Sequence, residues 1–251
     1  MEKVINLQIP HVGEHIFENI STDELCQYFL VSQTWKALAE NVLLKRWKSK
    51  FFEACSSGKT EIVRLLLERY TCEGIGFNAR DEYGKTAFIH ACAKRHKEIV
   101  KLLMDNSDRN IDLNARNNRG TTAFMWACLQ GHKDVVRLLL NNSDIELNAR
   151  SNAGTSAVIW ACKKGHKDVV KLLLNNLDRN IELNARDNDG VTGFLWACYN
   201  GHKDVVNLIL DNSDRNIGLN ARSNQGTTAF MWACLQGHKD VVRLLLNNSD
   251  I

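Results

Sequence analysis

The tripeptide Asn-Ala-Arg begins at Asn78, Asn114, Asn148, Asn184 and Asn220, at steps of 36, 34, 36 and 36 residues. A fixed step of this size marks a stacked array, in which one supersecondary unit is laid against copies of itself. Each copy reads as two short helices. Gly120-Thr121-Thr122-Ala123-Phe124-Met125-Trp126-Ala127-Cys128 opens the first, with the Thr122 hydroxyl available as a cap. Gly131-His132 breaks it. Lys133–Leu140 is the second helix, with Asp134 in its first turn, where the helix dipole favours an acid. Asn141-Asn142-Ser143-Asp144 ends the unit, because Asn tolerates the left-handed backbone of a helix stop. Asn-Ala-Arg and the following Gly then make a projecting hairpin turn.

The chain has 251 residues, 44% hydrophobic and 24% charged, which suits a soluble folded protein. A net charge of +3 is too small to indicate a nucleic-acid or acidic-lipid partner. Apolar runs are too short for a membrane span, and MEKVINLQIP lacks the apolar core of a secretory signal. Cys92, Cys128, Cys162, Cys198 and Cys234 recur at one position of the repeat. Neighbours in that series fall on stacked helices about 8–10 Å apart, too far for disulfides. They read as small buried thiols in a reducing compartment, cytoplasm or nucleus.

Several motifs imitate chemistry. Ser56-Ser57-Gly58-Lys59-Thr60 resembles the tail of a phosphate-binding loop, but position 53 is Glu where that loop needs Gly. Pairs such as Cys128 and His132 recur, yet each unit offers two ligands where a structural zinc wants four. Repeat packing accounts for them better, with each His bonding local backbone carbonyls. Neither metal nor cofactor is expected. A repeated pattern lacks the single unlike constellation of an active site, so the chain is not expected to be an enzyme. Arg80, Arg116, Arg150, Arg186 and Arg222 form a column whose acidic neighbours, such as Asp81, Glu182 and Asp187, read as a solvated, partly paired face.

Gly-x-Thr-x-x-x-x-Ala, then Gly-His-x-x-Val-Val-x-Leu-Leu-Leu, then Asn-Ala-Arg resembles the ankyrin repeat over residues 51–251. The resemblance implies an all-α solenoid of about six helix–turn–helix repeats with projecting turns, the first degenerate and the last uncapped. The family's Thr-Pro-Leu-His is here Thr86-Ala87-Phe88-Ile89 and its equivalents, so the Pro of the first helical turn and the His that ties neighbours are both missing. Most units also exceed the family period of about 33 residues by three, placed after the second helix as in Ser107-Asp108-Arg109-Asn110.

Residues 1–50 do not fit the repeat and read as short helices. Ile9-Pro10, Ile16-Phe17, Asp23-Glu24-Leu25, Val31-Ser32-Gln33-Thr34-Trp35 and Leu43-Leu44-Lys45-Arg46-Trp47 resemble an F-box, with Ile in place of Leu at 9 and Ser in place of Cys at 32. That resemblance implies docking on the Skp-type adaptor of a cullin–RING ubiquitin ligase through Ile9, Pro10, Ile16, Leu25, Val31 and Trp35. The alternative reading is a helical cap on the first repeat. The module order and recent duplications are similar to ankyrin/F-box families of giant DNA viruses, which would place the protein in a host cell cytoplasm.

Protein binding is expected at the hairpin tips and at two positions after each Ala-Cys, because the family resemblance implies a groove there and recognition favours turns on a rigid frame. The candidate residues are Glu82, Tyr83, Lys94, Asn118, Arg119, Gln130, Asn152, Lys164, Asn188, Asp189, Tyr199, Asn224 and Gln225. Trp126, Trp160, Trp196 and Trp232, with His90 in the same place, read either as fillers between repeats or as a groove wall. Gly226–Ile251 repeats Gly120–Ile145 without a change, so an internal-type copy stands last, and its apolar outer face is expected to be exposed or covered by a partner.

Overall fold

Each first helix begins where a hydroxyl substitutes for a missing backbone partner. In the computed structural model, which describes residues 48–69 and 76–248, Thr86, Thr122, Ser156, Thr192 and Thr228 hold extended backbone, and their side chains accept the amide hydrogen three residues on. The helices so started are α3 (Ala87–Ala93), α5 (Ala123–Gln130), α7 (Ala157–Lys163), α9 (Gly193–Tyr199) and α11 (Ala229–Leu235). They alternate with α4 (Lys97–Met104), α6 (Lys133–Leu140), α8 (Lys167–Leu174), α10 (Lys203–Leu210) and α12 (Lys239–Leu246). Before them stand α1, helical over 48–57, and α2 (Thr60–Arg69). The F-box-like residues Ile9, Pro10, Ile16, Leu25, Val31 and Trp35 lie outside the described residues.

Two layers follow from the sequence pattern. First helices pack on first helices, α3 to α5 to α7 to α9 to α11, and second helices on second, α2 to α4 through to α12. A first helix is enclosed by a neighbour on each side and by its own second helix, so it is apolar nearly all round. In α5, Ala123, Phe124, Met125, Ala127 and Cys128 are buried. The second helix has one open side and is amphipathic. Val135, Val136, Leu139 and Leu140 face inward, while Arg137 is exposed. Burying each such side chain contributes about 1.5–3 kcal/mol.

Between the two helices of a unit the chain reverses at a glycine with left-handed backbone, φ 73° at Gly131. A side chain there would be strained, and at Gly165 an added Cβ would stand 2.6 Å from the His202 ring of the next unit. Arg95 occupies the equivalent place at φ 64°, its guanidinium Nε bonding both carboxylate oxygens of Asp134 at 3.0 and 3.2 Å.

The unit ends differ from expectation. Asn141 keeps right-handed helical backbone, φ −80°. The left-handed asparagines are Asn110, Asn180 and Asn216, each closing a short 3-10 turn (Ser107–Arg109, Leu177–Arg179 and Ser213–Arg215) made by the extra residues. These turns reach back one unit. Arg109 donates to the Leu67 carbonyl, Arg179 to those of Leu140 and Asn142, and Arg215 to that of Leu174. The insertion therefore caps the preceding second helix, whose last carbonyls lack partners of their own. The 34-residue step has no such arginine, and its Asn142 side chain accepts the Asp144 amide instead.

A candidate partner-binding face

Most polar side chains that recur in every unit are consumed inside the stack. The Asn of Asn-Ala-Arg pairs with the next unit as a strand would. Asn114 donates to the Asp144 carbonyl at 2.6 Å and accepts from the Glu146 amide at 2.9 Å, and Asn78, Asn148 and Asn184 do the same one unit apart. The arginine column also points forward. Arg80 donates to the Arg116 carbonyl at 2.8 Å, Arg150 to that of Arg186 at 2.7 Å and Arg186 to that of Arg222 at 2.6 Å. Its main partner is backbone, with Glu182 beside Arg150 at 3.0 Å the acidic contact of the series. The projecting turns line up in a row, as the repeat pattern requires.

The histidines after the glycines also act between units. His132 Nε2 meets the Ala93 carbonyl, His166 that of Leu129, His202 that of Lys163 and His238 that of Tyr199, all at 2.9 Å. The bond is to the preceding repeat and not to local backbone, which corrects the sequence reading. As carbonyls only accept, Nε2 carries the proton. These rings tie each repeat to the one before it. Cys128 and its equivalents point into the core, apart from the exposed Cys234. Burial pushes the Cys162 thiol up to about 12. Among the described residues no group of His, Cys, Asp and Glu is placed to hold a metal ion, and no helix is long and apolar enough to cross a membrane.

Among the candidate partner contacts, one set belongs to this frame. Asn118 donates its backbone N–H to the Tyr83 carbonyl and its side chain to the Glu82 carbonyl, both at 3.0 Å. Asn152, Asn188 and Asn224 repeat the arrangement. Each also fills the space beside the preceding glycine, where a Cβ on Gly84 would stand 2.2 Å from Asn118 Oδ1. Their sameness from unit to unit is the sequence signal that sorts them with the frame, and they are set aside as partner contacts. Glu82, Tyr83, Lys94, Arg119, Gln130, Lys164, Asp189 and Gln225 are exposed, and Tyr199 is half-buried. Tyr83 is 62% exposed, with the Lys85 ammonium 5.9 Å from its ring centroid.

These residues share one face with the tryptophans, which stand half-buried along the first helices and are both filler and wall. Tip and helix meet there. Trp196 Nε1 donates to Asp187 Oδ2 at 2.8 Å, and the His90 ring nitrogen lies 2.8 Å from Asp81 Oδ2. Burial by itself would raise the Asp81 carboxyl. The His90 contact and the Lys85 and Tyr83 amides outweigh it and hold the group below the usual carboxylate range. Trp196, Tyr199 and Trp232 form a cluster with centroids 5.3 to 6.1 Å apart. Lys163 lies 3.3 Å from the Trp196 centroid and Lys85 4.3 Å from that of Trp126. Desolvation holds the Lys163 ammonium below its usual pKa. Sequence reasoning reached Lys163 as one of the two positions after Ala-Cys but did not single out Lys85. Lys85 had a signal, since its position is Thr121, Thr155, Val191 and Thr227 in the other units.

Comparison with known proteins bears on this geometry. The family model for ankyrin repeats (3 copies) matches residues 19–117, 108–187 and 176–251. The crystal structure of EF0377, an ankyrin repeat protein, is similar at a TM-score of 0.69 and 26% identity, covering 80% of this chain and 98% of that one. No curated protein matches the sequence. With two stacked helical layers, a row of projecting turns and a family match running from residue 19 to residue 251, the chain belongs to the ankyrin-repeat family.

Proposed function

We propose that this protein, as an ankyrin-repeat interaction scaffold, holds a protein target on the face shared by the hairpin tips and the first helices, and that residues 1–50 link that target to the Skp-type adaptor of a cullin–RING ubiquitin ligase. The observation that carries the first half is the division of labour among polar side chains. Recurring ones bond within the stack, whereas Tyr83, Lys94, Arg119, Lys164, Asp189 and Tyr199 stand at positions whose residue varies along the array, and they gather on one face. A rigid frame presenting unlike side chains is suited to recognising one partner, and a repeated pattern is unsuited to catalysis.

The second half is supported by the F-box-like residues Ile9, Pro10, Ile16, Leu25, Val31 and Trp35 and by their N-terminal position. A pull-down of the full chain with a purified Skp-type adaptor tests it. Binding lost with Pro10→Ala and Trp35→Ala, in variants that keep the wild-type helical signal, is the expected result. A chain that retains no adaptor at micromolar protein removes the ligase role and leaves the scaffold. One observation favours that second reading: the ankyrin match already begins at residue 19, inside the F-box-like stretch, as it would if those residues served to cap the stack. The reading also carries a compartment, the cytoplasm or nucleus, where unpaired buried cysteines stay reduced.

A further inference from the structure

The binding face is not uniform along the stack. On the units of α3, α5 and α7 it carries Lys85, Lys94, Arg119, Lys163 and Lys164, against the exposed Glu82 and an Asp81 already bonded to His90. On the units of α9 and α11 the same positions hold no lysine or arginine. They hold Tyr199 and Leu235 after Ala-Cys, flanked by Trp196 and Trp232, with the exposed Asp189 at the tip as the one unpaired charge of this half among the described residues. Half of the face is therefore cationic and half aromatic and apolar, and Lys163 stands at the junction, over Trp196.

The cationic half also holds two unmet donors. Trp126 Nε1 and Trp160 Nε1 are buried without an acceptor, whereas the equivalent Trp196 Nε1 is satisfied by the carboxylate of Asp187. Indole nitrogen only donates, so what these sites lack is an oxygen. A lysine lies over each ring, Lys85 at 4.3 Å from Trp126 and Lys163 at 5.7 Å from Trp160. The N–H groups are enclosed, so a carboxylate arriving from solvent would meet the ammonium over each ring. The chemistry that completes Trp196 from within is what Trp126 and Trp160 are short of.

We propose that the partner presents a bipartite peptide segment, acidic where it crosses α3, α5 and α7, and apolar where it crosses α9 and α11. This rests on the reading of the face as the partner-binding surface. A protein fits better than a nucleic acid. The three rings of the aromatic half pack mostly edge to face, with Trp196–Tyr199 at 84° and Tyr199–Trp232 at 70°, and Lys163 covers Trp196, so no open row of ring faces is left for bases to stack on. Aliphatic side chains can fill the edges of such a cluster, and a run of carboxylates complements the lysines.

The test uses the full chain and labelled synthetic peptides followed by fluorescence anisotropy. One peptide joins a run of glutamates to a run of leucines and serines, a second replaces glutamate by lysine, and a third keeps only the glutamates. The first is expected to bind most tightly, with affinity falling as salt rises. Lys94→Glu combined with Lys164→Glu should weaken it roughly tenfold or more, since both side chains are exposed and like charges would then face the peptide. Tyr199→Ala should weaken the first peptide roughly tenfold and leave the glutamate-only peptide nearly unchanged. The proposal is overturned if the lysine peptide binds as well as the first, if the double reversal leaves binding unaltered, if the first peptide does not bind, or if oligothymidylate binds more tightly in the same salt. A random peptide display selection separates this failure from that of the binding face. Selected sequences that need Tyr83 or Tyr199 but are not enriched in acid would retain the face and discard the acidic partner. Sequences indifferent to every substitution on the face would discard both.

Discussion

Asn117 and Asp187 occupy the same place in their units and differ by one atom. Each accepts two backbone amides on Oδ1: Arg119 and Thr121 at 3.0 and 2.9 Å for Asn117, Asp189 and Val191 at 3.1 and 2.8 Å for Asp187. The remaining atom of Asp187 is an oxygen that takes the Trp196 N–H, while that of Asn117 is an amide nitrogen, another donor, and Trp126 goes unmet. An unsatisfied buried donor costs about 1–3 kcal/mol. Asn117→Asp is therefore expected to stabilise the chain by about 1 kcal/mol and Asp187→Asn to destabilise it by a similar or larger amount, read as shifts of the urea midpoint. A lowered midpoint for Asn117→Asp would contradict the account. Asp81 adds a pH dependence. Its carboxyl is held below the usual range in the folded chain, so its contribution is complete at neutral pH and is lost as pH falls through that lowered value. Asp81→Asn should flatten the acid limb of a stability–pH curve at that point.

At the scale of the helix pair, the second helices begin without a side-chain cap. His96, His132, His166, His202 and His238 occupy the cap position, yet none bonds its own helix. Their rings tie the unit to the one before, so the position trades local helix stability for stacking. His166→Ala is expected to cost about 1–2 kcal/mol through the lost bond to the Leu129 carbonyl. Arg179→Ala should cost a comparable amount by uncapping α6. If these are stacking terms, both variants keep the wild-type far-ultraviolet helical signal at low temperature while their urea midpoints fall. A loss of helix content in the native chain would place the role inside the helix instead.

The whole molecule contains its own control. Residues 120–142 and 226–248 have the same sequence and opposite surroundings. Met125 is 1% exposed and Met231 48%, and Leu140 is 3% exposed against 67% for Leu246. The covering neighbour makes the difference, since the first copy has α7 and α8 against it and the described residues place no repeat against the second. In a stack, each unit is stable only with its neighbours. Amides of Lys239–Leu246 should exchange with solvent faster than those of Lys133–Leu140, with identical intrinsic rates because the sequences are identical. Equal protection would mean that nearest-neighbour burial does not govern this array. Cysteine chemistry gives a second reading of the same contrast. Burial raises the Cys128 thiol above its usual pKa and shields it, while Cys234 is exposed, so iodoacetamide should label Cys234 in the native chain and spare Cys128 until it unfolds. The exposed Leu235 and Leu246 suit self-association, and Leu235→Glu with Leu246→Glu should reduce it in light scattering.

The unit, its two helices, the Thr122-type cap and the Gly131-type break are all readable from one strand of letters, because each depends on contacts within a few residues and the repetition displays it five times over. The extra residues after the second helix were legible as an insertion, but not as a cap, since the carbonyl that Arg179 reaches lies 39 positions earlier. The same distance hid the work of Asn118 and His132. Their partners are one repeat away, and only stacking brings donor and acceptor together. Exposure was the least legible property of all. Met125 and Met231 have identical sequence neighbours, so no reading of composition or periodicity could tell them apart. Burial belongs to what is packed against a side chain, and that is set by the assembled stack.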